Sequence, residues 1–380
     1  KVTLLYISLA CVLSLQAQTR QQMGGVYYAY PEGPSAKTGT FGKATYMMSD
    51  SLSVPQGYAP FYISHYGRHG SRWMPKDDRY VWICKHFEDE SNLTPLGLQV
   101  KGMLQRVWEN AKGNGGKLSK LGALQHQGIA HRMFERYPQI FAAGNAVKAR
   151  SSVVDRCAKS MQAFTSELHT LQPGLNLDVK TDSADMAWIA YASPEVKALE
   201  NRTHVQAQVL PRRFLLQLFK DVSKVDEPLK LMTEMHTVAS SIQDVGLDFS
   251  SYPQDIEDGL NALFTDDEFR AIYDANNLRM TINNGTVATN EDIPARSAIS
   301  LWQNIEAEAD RALRSVKSSA TLRFGHDTAL YRLLSLLFDV NVPPAGAREE
   351  ASLVVLGDEM EKMDRVVPMA ANLQMIFYKN

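Results

Sequence analysis

Apolar residues recur along this chain with two different periods, and the places where one gives way to the other outline its organisation. A short apolar run at 60–64 reads as a buried strand, and further strand-like runs fall at 320–324, 351–355 and 371–378. Helical spacing is clear at 93–110, 124–137 and 152–171; the last places Val153, Val154, Cys157, Met161, Phe164 and Leu168 on one apolar face. From about 182 to 298 the strand signal fades, and helical patterns follow one another at 211–222, 228–242, 256–263 and 266–276. One more helix is expected from His326 through Leu330, Leu333, Leu334 and Leu337. Strands alternating with helices, interrupted by a long helical stretch, predict an α/β fold. It should have a central sheet flanked by helices and an inserted α-helical cap. The expected boundaries are a discontinuous α/β domain at 18–181 and 299–380 and a cap at 182–298. Residues 18–58 carry Gly, Ser and Pro with Tyr27, Tyr28 and Tyr30 clustered, and read as an irregular arm wrapping the domain.

Three of the expected strand ends carry chemistry. The strand at 60–64 runs into His65-Tyr66-Gly67-Arg68-His69-Gly70-Ser71-Arg72. Arg68 and Arg72 offer forked donors that match phosphate oxygens, and His69 between them is a candidate nucleophile. At the second, a short extended stretch over 147–152, Arg150 precedes Ser151 and Ser152, either of which could cap the following helix, and it would lie near the positive end of that helix dipole. At the third, Gly325-His326-Asp327 opens a helix. A basic turn or a His-Asp helix start is ordinary when it stands alone; three such turns in one α/β chain point to a shared site. Positive charge around His69 would disfavour the imidazolium and keep a neutral nucleophile, while the guanidiniums and His326 hold the non-bridging oxygens of a phosphoryl group. Among the remaining histidines, His65 is the one near enough to line or orient the pocket.

This set resembles the histidine phosphatase superfamily in its second branch, the histidine acid phosphatases, phytases and multiple inositol polyphosphate phosphatases. The Arg68–Arg72 box, the Arg150-Ser151-Ser152 element and the His326-Asp327 box occur in that order, with family-like segments at 93–97, 118–122 and 125–133 between them. The stretch from Arg150 to Cys157 looks most like the multiple inositol polyphosphate phosphatases, including bacterial members. Two features depart from the pattern. Trp73 and Met74 separate Arg72 from Pro75, and His326-Asp327 stands where inositol polyphosphate phosphatases usually carry His-Ala-Glu. The resemblance implies a central mixed sheet flanked by helices, phosphoglycerate mutase-like, with an inserted helical cap, and phosphomonoester hydrolysis through a phosphohistidine at His69. It also implies Asp327 as the acid that protonates the leaving group. The expected catalytic set is His69, Asp327, Arg68, Arg72, Arg150 and His326. Arg68, Arg72, Arg150, His326 and Lys76 are expected to contact substrate, with Arg79, Arg202 and His204 as further candidates. Inositol hexakisphosphate and lower inositol polyphosphates are the expected substrates. A broad acid phosphatase acting on sugar phosphates and a phosphate-binding protein without turnover are the alternatives.

Composition fits an enzyme of this kind. The 380 residues are 44% hydrophobic with a formal net charge of −2, enough for a large core and without the basic excess of a nucleic-acid partner. No metal-binding motif, P-loop or dinucleotide fingerprint is present, so no metal or cofactor is expected. Lys1 followed by an apolar run to Leu15 and small residues before Gln18 reads as a secretory signal peptide, with cleavage after Ala17. Cys11 leaves a lipid anchor as an alternative. The expected location is periplasmic or secreted, with no membrane span in the mature chain. Both ends of the sequence read as truncated. Export would permit Cys84 and Cys157 to pair, whereas Cys157 on an apolar helix face fits a buried free thiol equally well.

Overall fold

The computed structural model describes residues 5–7, 19–29, 56–252, 258–287, 289–338 and 363–380. Six strands form one sheet: β1 (Leu5–Ile7), β2 (Ala59–Arg68), β3 (Ala146–Ser151), β4 (Asn176–Thr181), β5 (Ser319–Gly325) and β6 (Asn372–Lys379), in the order β1-β6-β2-β5-β3-β4. β2, β5, β3 and β4 are parallel neighbours, while β6 lies antiparallel to both β2 and β1. The sheet is therefore mixed, as expected. β2 is buried along almost its whole length, as a central strand covered on both faces must be. It runs four residues beyond the expected end, so Arg68 is its last residue rather than part of the turn.

The helices are α1 (Asp78–Lys85), α2 (Pro95–Ala111), α3 (Lys120–Arg136), α4 (Asp155–Leu171), α5 (Met186–Ile189), α6 (Pro194–Arg202) and α7 (Arg212–Leu216). They continue with α8 (Pro228–Ser241), α9 (Asp266–Asn284), α10 (Ile293–Ser297), α11 (Ile299–Arg314) and α12 (Asp327–Phe338). On one face of the sheet, Ile129, Met133, Met161, Phe164 and Leu168 of α3 and α4 pack on Ile63, Val147, Ala149 and Phe324. On the other, Leu301 and Ile305 of α11 and Leu330, Tyr331 and Leu333 of α12 pack on Tyr66, Leu373 and Met375. A separate apolar core joins α1 and α2 to α7, α8 and α9 through Ile83, Met103, Leu104, Phe214, Met232, Met235 and Phe269. The helical body thus draws on two stretches of chain, 74–111 as well as 207–273.

Local chemistry explains several helix starts. Thr94 and Ser119 cap α2 and α3 by accepting from the amides of Gly97 and Gly122, and Thr265 with Glu268 forms a capping box on α9. The helix expected at 152–171 begins instead at Asp155, with Val154 at its cap position and no side-chain cap. β4 is not among the expected strands, although Leu175, Leu177 and Val179 alternate with polar residues; five of its six residues are exposed, as on an edge strand. The strand expected at 351–355, most of the leader at 1–17 and most of the arm at 18–58 lie outside the described residues. Within 1–17 the backbone of Leu5–Ile7 pairs with β6. No helix among the described residues is long and apolar enough to cross a membrane.

Candidate active site

The carboxyl ends of the parallel strands β2, β5 and β3 lie side by side, with Arg68 opposite Gly325 and Ser151 opposite Phe324. Ligands bind in the crevice beyond such ends. Here that crevice receives the 69–72 turn after β2, the His326-Asp327 start of α12 after β5, and the first turn of α4 after β3. The positive ends of two helix dipoles therefore converge on one place.

The 69–72 turn is held by backbone contacts. His69 donates its amide to Gly325 at 3.0 Å and accepts from Ala370 at 3.0 Å, fixing the residue between β5 and the approach to β6. The amides of Gly70 and Ser71 donate to Ser160 Oγ of α4 (3.1 Å) and to Gln125 Oε1 of α3 (2.9 Å). Gly70 lies against the backbone of Gly122, and a Cβ on Gly70 would stand 2.4 Å from the Gly122 carbonyl oxygen. Only glycine allows that approach.

His69 is almost fully buried, and its ring centroid is 5.8 Å from that of His326. Its Nδ1 is 2.9 Å from the Gly70 carbonyl oxygen. A carbonyl only accepts, so Nδ1 carries the proton and Nε2 keeps its lone pair. Burial, reinforced by Arg68, Arg72, Arg156 and His326, holds the imidazole pKa well below its ordinary value. The expectation of a neutral His69 holds, with desolvation ahead of positive charge as its cause. His326 is likewise held neutral, its pKa down to about 4 through burial and then Arg156, outweighing Asp327. Its Nε2 lies 3.2 Å from Ser152 Oγ. Cys157 Sγ lies 3.8 Å from the same nitrogen, and burial pushes this thiol up to about 11, which makes it a packing group rather than a nucleophile. Cys157 and Cys84 are both free thiols.

Arg68 is fully buried. It donates to the carbonyls of Val26 and Val367 and places Nη2 3.0 Å from the Asp327 carboxylate. Burial pushes the Asp327 carboxyl up, but Arg68, His326 and Arg72 together hold it below the usual carboxylate range. Arg72 and Asp327 line a cavity of about 550 Å³ between the sheet end and the helical body. Arg79, Lys230 of α8 and Arg279 of α9 line it too.

Two expected contacts are not at this place. Arg150 is an interior residue of β3, and a strand side chain leaves the sheet sideways rather than over its end. Its guanidinium binds the Asp178 carboxylate of β4 at 2.6 Å, with Asp185 at 3.8 Å, and it is absent from the charges acting most strongly on His69 and His326. The third arginine of the cluster is Arg156, brought in because α4 starts at Asp155 and places residue 156 in its first turn. It lay in the same family-like stretch, on what the earlier helix start made an ordinary second turn. Lys76 is exposed on the loop before α1 and does not line the cavity, and Arg202 and His204 are exposed outside it as well. Arg79 does line it, with Nε 2.5 Å from the Glu234 carboxylate. His65 lies under the motif between Phe164 and Phe324, fully buried and held neutral, its pKa down to about 3 mainly through desolvation. Asp244, which follows α8, carried no sequence signal. It is fully buried, and burial pushes its carboxyl up to about 7 against the opposing pull of Ser71, Arg72 and Arg68.

No family model matches the chain. It is 23% identical over 275 residues to multiple inositol polyphosphate phosphatase 1 of Gallus gallus, covering 69% of this chain and 59% of that protein. The chain thus spans less than two thirds of that relative's length. Multiple inositol polyphosphate phosphatase of Bifidobacterium longum, solved with inositol hexasulfate, superposes with a TM-score of 0.68 at 16% identity, covering 94% of this chain and 88% of that one. The phytase from D. castellii does so with a TM-score of 0.61 at 12% identity, over 95% and 76%. At these identities the likeness to the solved structures is one of fold. In sequence the chain is similar to a multiple inositol polyphosphate phosphatase, and its fold is that of the bifidobacterial phosphatase and the D. castellii phytase.

Proposed function

We propose that this protein hydrolyses phosphomonoesters through a phosphohistidine at His69 and acts on inositol hexakisphosphate and lower inositol polyphosphates. The observation that carries the reading is a buried, neutral imidazole with Nε2 free to react, set among Arg68, Arg72 and Arg156. Nε2 attacks phosphorus, the bond to the leaving oxygen breaks, and the three guanidiniums with His326 hold the non-bridging oxygens. Asp327 gives the leaving alkoxide its proton. In the free protein Arg68 holds this carboxyl ionised. A phosphate dianion on Arg68 and Arg72 cancels their pull, and burial then favours the acid form, so substrate binding draws in the proton that departure of the alcohol needs. Asp327, ionised again, takes a proton from the water that cleaves the phosphohistidine.

The polyphosphate part of the reading rests on charge. Arg79, Lys230 and Arg279 face the cavity in which Arg72 and Asp327 lie, in a chain whose net charge is close to neutral. A substrate with several phosphates uses such a wall, whereas an aryl phosphate does not. The chicken relative is named for inositol polyphosphates, and the bifidobacterial structure holds inositol hexasulfate. Residues 182–298, with α1 and α2, are read as the cap that forms this wall, and the 1–17 leader as the signal for export to the periplasm or medium. The test is phosphate release from inositol hexakisphosphate in EDTA, set against glucose 1-phosphate and p-nitrophenyl phosphate. A clear preference for the inositol substrate is expected. Equal rates on all three would replace the reading with a broad acid phosphatase, and no release from any would leave a binding protein.

A further inference from the structure

The segment 19–29 has no part in the motif chemistry, yet it reaches both arginines of the first box. It is pinned at each end. Arg20 forks onto the Asp266 carboxylate (3.0 and 2.8 Å) at the start of α9 and donates to the Asn261 carbonyl at 2.6 Å. At the far end, Ala29 donates its amide to Gln243 Oε1 at 3.1 Å, and the Tyr28 carbonyl accepts from Met369 at 3.0 Å. Between the pins the chain turns sharply at Gly25, whose φ of +60° lies in the left-handed region and whose Cβ, if present, would press on the Tyr273 ring at 3.4 Å. The turn directs the next two residues at the site. The Val26 carbonyl accepts from Arg68 Nη1 at 2.7 Å, and the guanidinium carbon of Arg72 stands 5.5 Å from the centre of the Tyr27 ring. Met23 to Tyr27 also form part of the cavity wall.

Arg68 and Arg72 are held by different chemistry. Arg68 has a carboxylate partner, Asp327. Arg72 donates to the Trp73 carbonyl at 2.9 Å, its buried Nε has no hydrogen-bond partner among the described residues, and no carboxylate lies within ion-pair distance of it there. An aromatic face attracts a guanidinium without cancelling its charge or occupying its donors. A carboxylate in the same place would do both and would compete with an incoming phosphate.

We propose that Tyr27 is a positioning residue of the phosphate site: its ring holds the Arg72 guanidinium on the cavity wall, charged and with free donors, ready for the substrate phosphate. The inference rests on the phosphatase reading of the site. It concerns the ring rather than the hydroxyl, and ground-state binding of phosphate rather than the chemical step. The experiment measures binding of inorganic phosphate by calorimetry, together with kcat and KM on p-nitrophenyl phosphate, for wild type, Tyr27→Phe, Tyr27→Leu and Tyr27→Gln. The Phe variant should bind phosphate within about twofold of wild type, whereas Leu and Gln should each weaken binding and raise KM about tenfold with kcat little changed. Two ring-free variants of different polarity guard against one of them folding poorly. Wild-type phosphate affinity in Leu and Gln would overturn the inference, as would a Phe variant damaged as badly as Leu, since that assigns the effect to the hydroxyl. Because phosphate binding needs no turnover, failure of the two readings is distinguishable. A wild-type protein that binds phosphate but hydrolyses nothing removes the phosphatase and leaves the role of Tyr27 to be decided by the variants. One that does neither removes both.

Discussion

At the residue scale, the site works by holding imidazoles neutral and guanidiniums charged within one buried cluster. On the proposed mechanism, replacing His69 with Ala removes the atom that carries the phosphoryl group, and turnover should fall by at least about a thousandfold on every substrate. Retained activity would refute the nucleophile. If Asp327 is the acid, Asp327→Asn removes a proton that only poor leaving groups need. Its loss should be on the order of a hundredfold or more on an alkyl phosphate and far smaller on p-nitrophenyl phosphate. Equal losses on both would mean that Asp327 is not the acid. The two arginines after β3 give the sharpest contrast. Arg156→Ala should cost about a hundredfold in kcat, as the loss of one preorganised donor to developing charge does, while Arg150→Ala should leave kcat within a few-fold. The opposite ranking would return Arg150 to the site and would require its ion pair with Asp178 to break on substrate binding.

At the element scale, short local signals place the site and long-range packing aims it. Ser119 caps α3, and its hydroxyl and amide also donate to the Ser71 carbonyl, so one residue starts a helix and fixes the motif turn. α9 carries Arg279 into the cavity wall and starts at the Thr265–Glu268 capping box. Thr265→Ala should lower unfolding stability by about 1 kcal/mol in denaturant titration with kcat unchanged. A stability loss near zero would show that tertiary packing alone holds that end. The errors in the sequence reading belong to this scale too. The expected helix start lies three residues before the observed one, and the structure turns Arg150 to Asp178 and brings Arg156 beside His69, because the face and end of an element depend on where it begins. β4 carries only a short alternation, Leu175, Leu177 and Val179, and as an exposed edge strand it offers no buried run to announce it.

At the scale of the whole molecule, buried imidazoles set the response to acid. Burial holds His65, His126 and His236 neutral down to about pH 3 and His326 down to about pH 4. In the unfolded chain each titrates near 6.5, so between that value and about 4 the unfolded state takes up protons that the folded state refuses, and stability falls with pH. Asp244 acts in the opposite sense. Its folded pKa of about 7 lies above the model-peptide value of 3.8, so it favours the folded state as pH drops through 7. Four imidazoles should outweigh one carboxyl. The melting temperature is expected to fall by roughly 5 °C or more from pH 6.5 to 4.5 in scanning calorimetry. Replacing His236, which packs on Phe269 at 4.2 Å between ring centroids, with Leu should flatten that slope. A wild-type profile that is level over this range would contradict the assignment.

The sequence by itself determined the α/β class, the central strand feeding Arg68 to Arg72, and the convergence of that box with His326 and Asp327. These rest on local matters: the period of apolar residues, a glycine at a turn, a helix beginning where a strand stops. The tertiary structure decided which side chains reach the cavity. It placed Arg156 rather than Arg150 in the cluster and Arg79 rather than Lys76 on the wall, put Asp244 beneath the arginines, and brought residues 19–29 from far along the chain to hold them. A strand residue reverses its face with each step and a helix residue turns about 100°. Side-chain direction therefore depends on element ends, which are fixed by backbone pairing and packing between segments far apart in sequence.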